Sequence, residues 1–198
     1  MIVVGLTGSI GMGKSTTAAL FRDEGIAVHD SDATVHRIYA EQAHCHLATE
    51  FPQAFIAGFF DRAALAAHVL GDPTALKRLE TIIHPLVSAN RSAFLTEQEK
   101  AGSRLCVFDV PLLFETGLDA SVDVRLVVTA PAEVQKQRVL QRPGMTPEKL
   151  QSVLGRQLSD EAKRKRAHWI IDTSHGIDRA RRDVRAFLRS LGAGSEGP

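Results

Sequence analysis

The sequence is poor in the features that mark membrane-inserted, metal-binding and nucleic-acid-binding proteins. It has only two cysteines, Cys45 and Cys106, and no C-x-x-C pair that would form a metal or redox motif. The formal net charge of +1 provides no global field for nucleic acid or an anionic membrane. No signal peptide and no apolar run of membrane-spanning length is visible. These absences favour a cytoplasmic protein with neither nucleic-acid nor membrane partners.

What is present is a phosphate-binding loop near the N-terminus. Residues 8–15 read G-S-I-G-M-G-K-S, which matches the pattern G-x-x-x-x-G-K-S. Glycine N–H groups and the positive end of the following helix would surround phosphate oxygens. Lys14 would reach the β- and γ-phosphates, and the Ser15 hydroxyl would face Mg²⁺. We therefore predict a nucleoside triphosphate site made of Gly8, Gly11, Met12, Gly13, Lys14, Ser15 and Thr16.

Apolar runs and helical patterns alternate along much of the chain, which predicts an α/β fold with a parallel sheet. Together with the loop, this indicates the three-layer α/β/α fold of P-loop NTPases. A helix from about 14 to 24 should end at Gly25. The predicted strands are residues 2–7, 26–29, 104–109, 123–128 and 168–171, and further helices are predicted at 131–141 and 177–191.

Residues 32–101 interrupt the alternation, because they contain no convincing strand. Asp61 and Asp72 are typical of residues that begin helices. A helical substrate-binding insertion is therefore predicted, with an apolar nucleus near residues 51–60. Its predicted helices are about 32–41, 44–50, 61–70, 73–81 and 85–100.

A basic segment from Gln135 to Arg166 follows, interrupted by a turn at Pro143-Gly144. Arg138 and Arg142, one helical turn apart, could clamp phosphates when a small helical lid closes, or could belong to a solvated charged face. We predict three parts on this basis. The nucleotide-binding core comprises 1–31, 102–134 and 167–198, the helical acceptor subdomain 32–101, and the lid 135–166.

Carboxylates follow two of the predicted strands, at the sheet edge where ligands of α/β proteins bind. Asp30 and Asp32 come after the second strand. Asp32 is the candidate that orients an acceptor hydroxyl and takes its proton, the alternative being that these acids cap a helix. Asp109 ends a later strand and could hold Mg²⁺ through water.

Triphosphate binding alone leaves switches, motors and kinases open. The chain has no Asn-Lys-x-Asp motif for reading guanine and no serine-glycine signature of ABC-type ATPases, so a small-molecule kinase fits best. Two alternatives stay open. One is a kinase of another nucleotide or nucleoside, and the other is a non-catalytic nucleotide-binding regulator, against which the presence of Lys14 and Asp32 counts.

Several segments together resemble the dephospho-coenzyme A kinase family along nearly the whole chain. They are residues 5–15, Asp30-Ser31-Asp32, Ile83-His84-Pro85, the distinctive Asp109-Val110-Pro111-Leu112-Leu113-Phe114-Glu115, Gln137-Arg138 to Arg142, Arg156-Gln157 and Ile170-Ile171-Asp172.

The resemblance implies ATP-dependent phosphorylation of the ribose 3′-hydroxyl of dephospho-coenzyme A, the last step of coenzyme A biosynthesis, with Mg²⁺. It implies that Lys14 and Ser15 serve ATP and Mg²⁺, and that Asp32 activates the acceptor. It places His84 and Leu112, Leu113, Phe114 and Glu115 in the acceptor pocket, and Arg138 and Arg142 in the lid.

The chain departs from the family pattern at two places. Ser9 and Met12 stand where the loop usually carries a glycine and a small residue. After the last strand the chain reads Asp172-Thr173-Ser174-His175-Gly176, where the family usually reads Asp-Asn-Ser-Gly. The lost Asn and the extra His175 change the loop expected to touch adenine. No long apolar heptad repeat is visible, so a monomer is expected.

Overall fold

The computed structural model describes residues 1–42, 44–69 and 71–192. The chain divides into two compact units. The first combines Met1–His29 with the chain from Ala101 onward, and the second is Asp30–Lys100. The first unit is therefore built from two separated stretches of sequence.

A five-stranded sheet forms the centre of the first unit, in the order β2-β5-β1-β6-β7. Strand β1 pairs in parallel with β5 and β6, and β6 pairs in parallel with β7. Each predicted strand is confirmed to within one residue. The bounds are β1 Ile2–Thr7, β2 Ala27–Asp30, β5 Leu105–Asp109, β6 Val124–Thr129 and β7 Trp169–Asp172.

Helices connect these strands and cover the sheet, which confirms the α/β fold. Helix α1 ends as predicted at Gly25, whose φ of 76° suits the position after a helix C-terminus. The basic segment contains two helices that the sequence did not delimit, α7 and α8. The bounds are α1 Lys14–Asp23, α6 Ala132–Leu140, α7 Pro147–Leu154, α8 Asp160–Arg166 and α9 Ile177–Ser190, with a short 3₁₀ turn at Leu118–Ser121.

Side chains of β1 alternate between two packed faces, as the period of a strand requires. Val4 and Leu6 are fully buried in a core that also takes in residues of α1 and α9. Gly5, between them, leaves room on the opposite face for Leu113, whose Cδ2 lies 2.8 Å from where a Cβ of residue 5 would stand. The central strand is thus buried on both sides, typical of a parallel sheet.

The second unit is mainly helical around its own core, which includes Leu47, Phe51, Leu65 and Leu79. Asp61 and Asp72 begin helices as predicted, because each carboxylate accepts backbone N–H groups of the following turn. The bounds are α2 Ser31–Arg37, continued by a π-helical turn Ile38–Gln42, α3 His44–Glu50, a 3₁₀ turn Pro52–Ala54, α4 Arg62–Val69 and α5 Pro73–Lys100.

Two predictions for this unit were wrong. Residues 32–101 do contain strands, because β3 (Phe55–Ile56) and β4 (Phe59–Phe60) form a short antiparallel hairpin around Ala57-Gly58. Two-residue strands are too short for the alternation by which a strand is identified in a sequence.

The helices predicted at 73–81 and 85–100 are one helix, α5, with Pro85 inside it. An internal proline costs a helix about 3 kcal/mol, so a break was expected there. The buried stripe Ala75, Leu79 and Ile83 leads directly up to Pro85, and Leu86 and Val87 pack against the same core beyond it. Packing on both sides of the proline offsets the lost hydrogen bond.

Within the described ranges, no helix is both long and apolar enough to cross a membrane. Over the same residues, no three histidine, cysteine or acidic side chains converge as a metal site would require. Cys106 is buried in β5.

Candidate active site

The phosphate-binding loop runs from the end of β1 to the start of α1, the position that the motif requires. Gly13, with φ 87° and ψ 14°, immediately precedes the helix. Its carbonyl accepts the Thr17 N–H and the Thr17 hydroxyl. The first N–H groups of α1 therefore remain for an anion, and the helix dipole favours negative charge at this end.

Close neighbours explain why glycine stands at two positions of the loop. Gly11 has φ 79°, and a Cβ there would lie 2.5 Å from Val139 Cγ2 and 3.0 Å from the Gln135 carbonyl oxygen. A Cβ at Gly13 would lie 2.9 Å from the Thr173 hydroxyl. A side chain is therefore excluded at both positions by the left-handed backbone together with a close neighbour, helix α6 at Gly11 and Thr173 at Gly13.

Lys14 is bonded to a carboxylate of the neighbouring strand. Its Nζ lies 2.5 Å from Asp109 Oδ1, and the Asp109 side chain is only 4% exposed. Asp109 is the last residue of β5, which pairs with β1 directly before the loop. The structure thus brings together two of the residues singled out from the sequence, one expected to serve phosphate and the other Mg²⁺.

Two glutamines that the sequence analysis did not select hold the loop from outside. Gln157 Oε1 accepts the Ile10 N–H at 3.1 Å, and Gln135 Nε2 donates to the Ile10 carbonyl at 2.7 Å. Both bonds join residues more than a hundred positions apart. Gln157 was visible only as part of a family motif, and no local pattern marks Gln135.

Met12 and Thr173, which both depart from the family pattern, are bonded to each other. Met12 is buried, and its sulfur accepts the Ala130 N–H at 3.1 Å. The Thr173 hydroxyl bonds the Met12 carbonyl at 2.9 Å and the Thr129 carbonyl at 3.2 Å. Thr173 is therefore turned towards the phosphate loop and β6, where a threonine hydroxyl is short enough to fit beside Gly13.

Arg138 is held by the same loop after β7. Its guanidinium donates to the Thr173 hydroxyl at 2.9 Å and to the Thr173 carbonyl at 2.7 Å. A longer contact of 3.5 Å reaches the Gly11 carbonyl. Arg138 therefore links helix α6, the phosphate loop and the segment after β7.

A cavity of about 300 Å³ opens beside these groups, entirely within the first unit. Arg142 lies on its wall, whereas Lys14 and Ser15 are not among the lining residues. The cavity is lined by Gly11, Gly13, Thr16, Thr17, Arg138, Arg142, Thr173, Gly176, Ile177 and Ala180. Its position next to the phosphate loop suits the base and sugar of a nucleotide.

Asp172, the last residue of β7, is a carboxylate beside this wall. Burial raises its pKa, but hydrogen bonds from the Ser174 side chain and N–H and the charges of His175 and Arg138 outweigh burial, so its pKa lies below the ordinary value. His175 Nε2 is 3.6 Å from Asp172 Oδ2. The added histidine thus lies beside a carboxylate whose pKa is lowered.

The acids after β2 have different environments. Asp30 caps α2, because its carboxylate accepts the Ala33 N–H at 2.9 Å. Asp32 lies in the first turn of α2 and is exposed. Capping was the alternative reading of these two acids, and Asp30 alone performs it.

His84 is an exposed residue of α5, immediately before Pro85.

The segment that follows β5 is largely buried. Leu113 is inaccessible, Phe114 is 5% exposed, and Leu112 is 37% exposed. Glu115 forms an ion pair of 2.8 Å with Lys163 and accepts the Leu158 N–H at 2.8 Å. Burial raises the pKa of Glu115, but the hydrogen bonds from Lys163 and Leu158 outweigh burial and hold that pKa below its usual value.

Comparison with known proteins places this geometry in a family. The family model described as dephospho-CoA kinase matches residues 2–179. A dephospho-CoA kinase of Mesorhizobium japonicum is 56% identical over 191 residues, covering 96% of this chain and 97% of that protein.

Solved structures agree with the sequence relatives. A Thermus thermophilus protein of known crystal structure is 38% identical with a TM-score of 0.85, covering 96% of this chain and 97% of that one. A dephospho-CoA kinase from Campylobacter jejuni, 23% identical with a TM-score of 0.65 and 96% of each chain covered, shares the fold. Because the family model and the relatives span nearly the whole sequence, this chain belongs to the dephospho-CoA kinase family.

Proposed function

We propose that the protein transfers the γ-phosphate of ATP to the ribose 3′-hydroxyl of dephospho-coenzyme A, giving coenzyme A and ADP. Family membership supports the reaction class and the acceptor. The observation that carries the proposal in the structure is the phosphate loop with Lys14 beside Asp109, at the carboxyl ends of β1 and β5. Phosphoryl transfer depends chiefly on positioning and charge stabilisation, which such a loop supplies.

ATP would lie along the phosphate loop with its base and sugar in the adjoining cavity. The N–H groups of residues 11–16 would surround the β- and γ-phosphates, and Lys14 would move from Asp109 to the phosphates. Arg138 and Arg142 stand on the cavity side of the loop. We propose that they stabilise the phosphate charge, Arg138 in the transition state and Arg142 in binding.

The residues proposed to hold Mg²⁺ fit this ion. Ser15 is exposed at the start of α1, and Asp109 offers a carboxylate at the end of β5. Hydroxyl and carboxylate oxygens are the donors that Mg²⁺ prefers. When bound, Mg²⁺ neutralises charge on the phosphates and aligns them. Ser15 and Asp109 would hold it there, Asp109 through water.

The acceptor side is proposed from position in the chain and chemical character. The exposed Asp32 carboxylate can accept a proton, and Asp30 already occupies the capping position. Of the residues predicted for the acceptor pocket, His84 and Leu112 are exposed and would contact dephospho-coenzyme A directly, whereas the buried Leu113 and Phe114 and the paired Glu115 would shape the segment that carries Leu112. Residues 32–101 would form the acceptor subdomain and residues 135–166 a lid that excludes water.

We further propose a monomeric cytoplasmic enzyme. All candidate residues come from one chain, and no step of the reaction needs a second copy. Light scattering coupled to size exclusion would test the monomer directly.

An assay of ADP release with ATP, Mg²⁺ and several acceptors tests the proposal. The panel contains dephospho-coenzyme A, AMP, CMP, adenosine and pantothenate. Turnover confined to dephospho-coenzyme A is expected. Turnover on another acceptor would keep the kinase and replace its substrate, and ATP binding without turnover on any acceptor would indicate a regulator.

A further inference from the structure

Helix α8 carries a lysine that none of the proposed steps uses. The Lys163 side chain is completely buried, the only charged residue among the largest fully buried side chains of the described part of the chain. Removing an ammonium group from water is unfavourable unless it is paired and hydrogen-bonded. The groups bonded to Lys163 therefore show which part of the structure its burial stabilises.

Lys163 bonds two points of the segment after β5. Its Nζ donates to the Pro111 carbonyl at 3.1 Å and to Glu115 Oε1 at 2.8 Å. The Pro111 carbonyl also accepts the hydroxyl of Thr7, the last residue of β1, at 3.1 Å. One ammonium group thus fixes both ends of the turn that leads from Asp109 to Glu115.

A second basic residue of α8 secures the same segment further along. Arg166, one turn after Lys163, bonds Asp119 Oδ2 at 2.9 Å. Its guanidinium also lies 4.5 Å from the centre of the Phe114 ring. Residues 111–119 are therefore attached to α8 by two cationic side chains on one helical face.

Glu115 points to α8 and not to open solvent. One of its oxygens accepts both Lys163 and the Leu158 N–H, and the other oxygen is buried without a hydrogen bond in the described structure. With only 15% of its side chain exposed, Glu115 offers little surface for direct contact with a large acceptor. Its contribution to the reaction is therefore expected to come from the shape of the segment.

We infer that Lys163 is a positioning residue for phosphoryl transfer, which fixes the turn between Asp109 and Glu115 and so orients the Asp109 carboxylate and the acceptor-binding side chains. The inference rests on the proposed function of this segment. It also assigns Glu115 a positioning role in place of direct acceptor contact. Helix α8 then belongs to the fixed frame of the site, and the moving part of the proposed lid ends before it.

The test compares Lys163→Met with Lys165→Met, a matched control on the same helix. Lys165 is 73% exposed and pairs with Glu161 one turn earlier. For Lys163→Met we expect kcat to fall at least tenfold and the KM for dephospho-coenzyme A to rise. The Kd for ADP without Mg²⁺, which depends on the phosphate loop, should stay within about twofold of wild type. Lys165→Met should match wild type throughout.

A double variant separates positioning from a loss of folding. Lys163→Met leaves the Glu115 charge buried and unpaired, whereas Lys163→Met with Glu115→Gln removes both charges and should fold. If Lys163 acts through Glu115, the double variant has the same reduced kcat as the more affected single variant. The inference would be overturned if the reductions of kcat in the two single variants multiply in the double variant. It would also be overturned if the double variant is folded and has wild-type kcat and KM.

Wild-type turnover, measured in parallel, distinguishes the two proposals. If wild type fails to phosphorylate dephospho-coenzyme A, the proposed function is wrong and the positioning role falls with it. If wild type is active and the variants at Lys163 share its constants, only the positioning role is wrong.

Discussion

The phosphate loop and the start of α2 carry the two halves of the proposed chemistry, and they are built in opposite ways. In the loop, Ile10 and Met12 are bonded through backbone atoms to distant side chains, and Lys14 is paired with Asp109. At the start of α2, Asp30 caps the helix, and Asp32 is exposed with no bond among the described residues.

The difference follows from what each region has to do. Backbone dipoles stabilise phosphate charge only if they already point at it, so the loop has to be held before ATP arrives. A general base has to accept a proton from a substrate, so its carboxylate has to be available. Rigidity is therefore expected where charge is stabilised, and exposure where a proton is taken.

Removal of the loop lysine should give the largest effect. Lys14→Ala deletes the charge that we propose to face the transferred phosphate and removes the ion pair with Asp109, so kcat should fall by about 10³-fold or more. Steady-state ADP release measures the loss, and circular dichroism checks that the variant is folded. A folded variant that retains a tenth of wild-type kcat would contradict the role of the loop.

Neutralisation of the exposed acid should come second. Asp32→Asn should lower kcat on the order of 10²-fold, because the acceptor hydroxyl would lose the group proposed to orient it, while the KM for ATP changes little. Asp30→Asn is the matched control, since asparagine caps a helix as well as aspartate does. Equal kcat values for the two variants would remove Asp32 from the mechanism.

Removal of the Thr173 hydroxyl, which joins the phosphate loop to β6 and α6, should have an intermediate effect. Thr173→Val removes the hydroxyl that bonds the buried Met12 carbonyl and one N–H of Arg138, which keeps its bond to the Thr173 carbonyl, so the free energy of unfolding should fall by about 1–3 kcal/mol. Thr173→Ser keeps the hydroxyl and should stay closer to wild type. Urea unfolding at neutral pH measures both, and identical losses would show that the methyl group matters instead.

The smallest expected effect is on the pH dependence of the stability of the protein. Because the pKa of Glu115 is depressed in the folded state, its contribution to stability is complete above its usual value of 4.5 and disappears as pH falls through the lower folded pKa. Glu115→Gln lacks the carboxylate and therefore this pH-dependent contribution to stability. Its urea midpoint should therefore change less between pH 7 and about pH 3 than that of wild type. If the urea midpoints of both proteins changed equally with pH, the depressed pKa assigned to Glu115 would be contradicted.

The sequence predicted the strands because each is a compact apolar run, and the loop because its residue types are dictated by phosphate chemistry. The hairpin Phe55–Phe60 and the unbroken α5 were missed for different reasons. The hairpin strands are too short to show a period. The effect of Pro85 depends on packing of Leu86 and Val87, which only the folded core provides.

Prediction of the candidate active site from the sequence has the same limit. Lys14 was selected because it belongs to the phosphate-loop motif, and Asp109 because it ends a predicted strand. Gln135, Gln157 and Lys163 act on atoms far away in the chain, and each lies in a charged segment where nothing separates it from surface residues. Supporting residues of this kind become visible only when the structure identifies their partners.

The divided first unit has a consequence for synthesis of the protein on the ribosome. Strand β1 emerges first, but its partners Leu105 and Val124 are made about a hundred residues later. The helical unit Asp30–Lys100 consists of one continuous stretch and can form as soon as it has emerged. The nascent chain therefore carries an unpaired apolar strand throughout that interval, and we expect this strand to need shielding by a chaperone during translation.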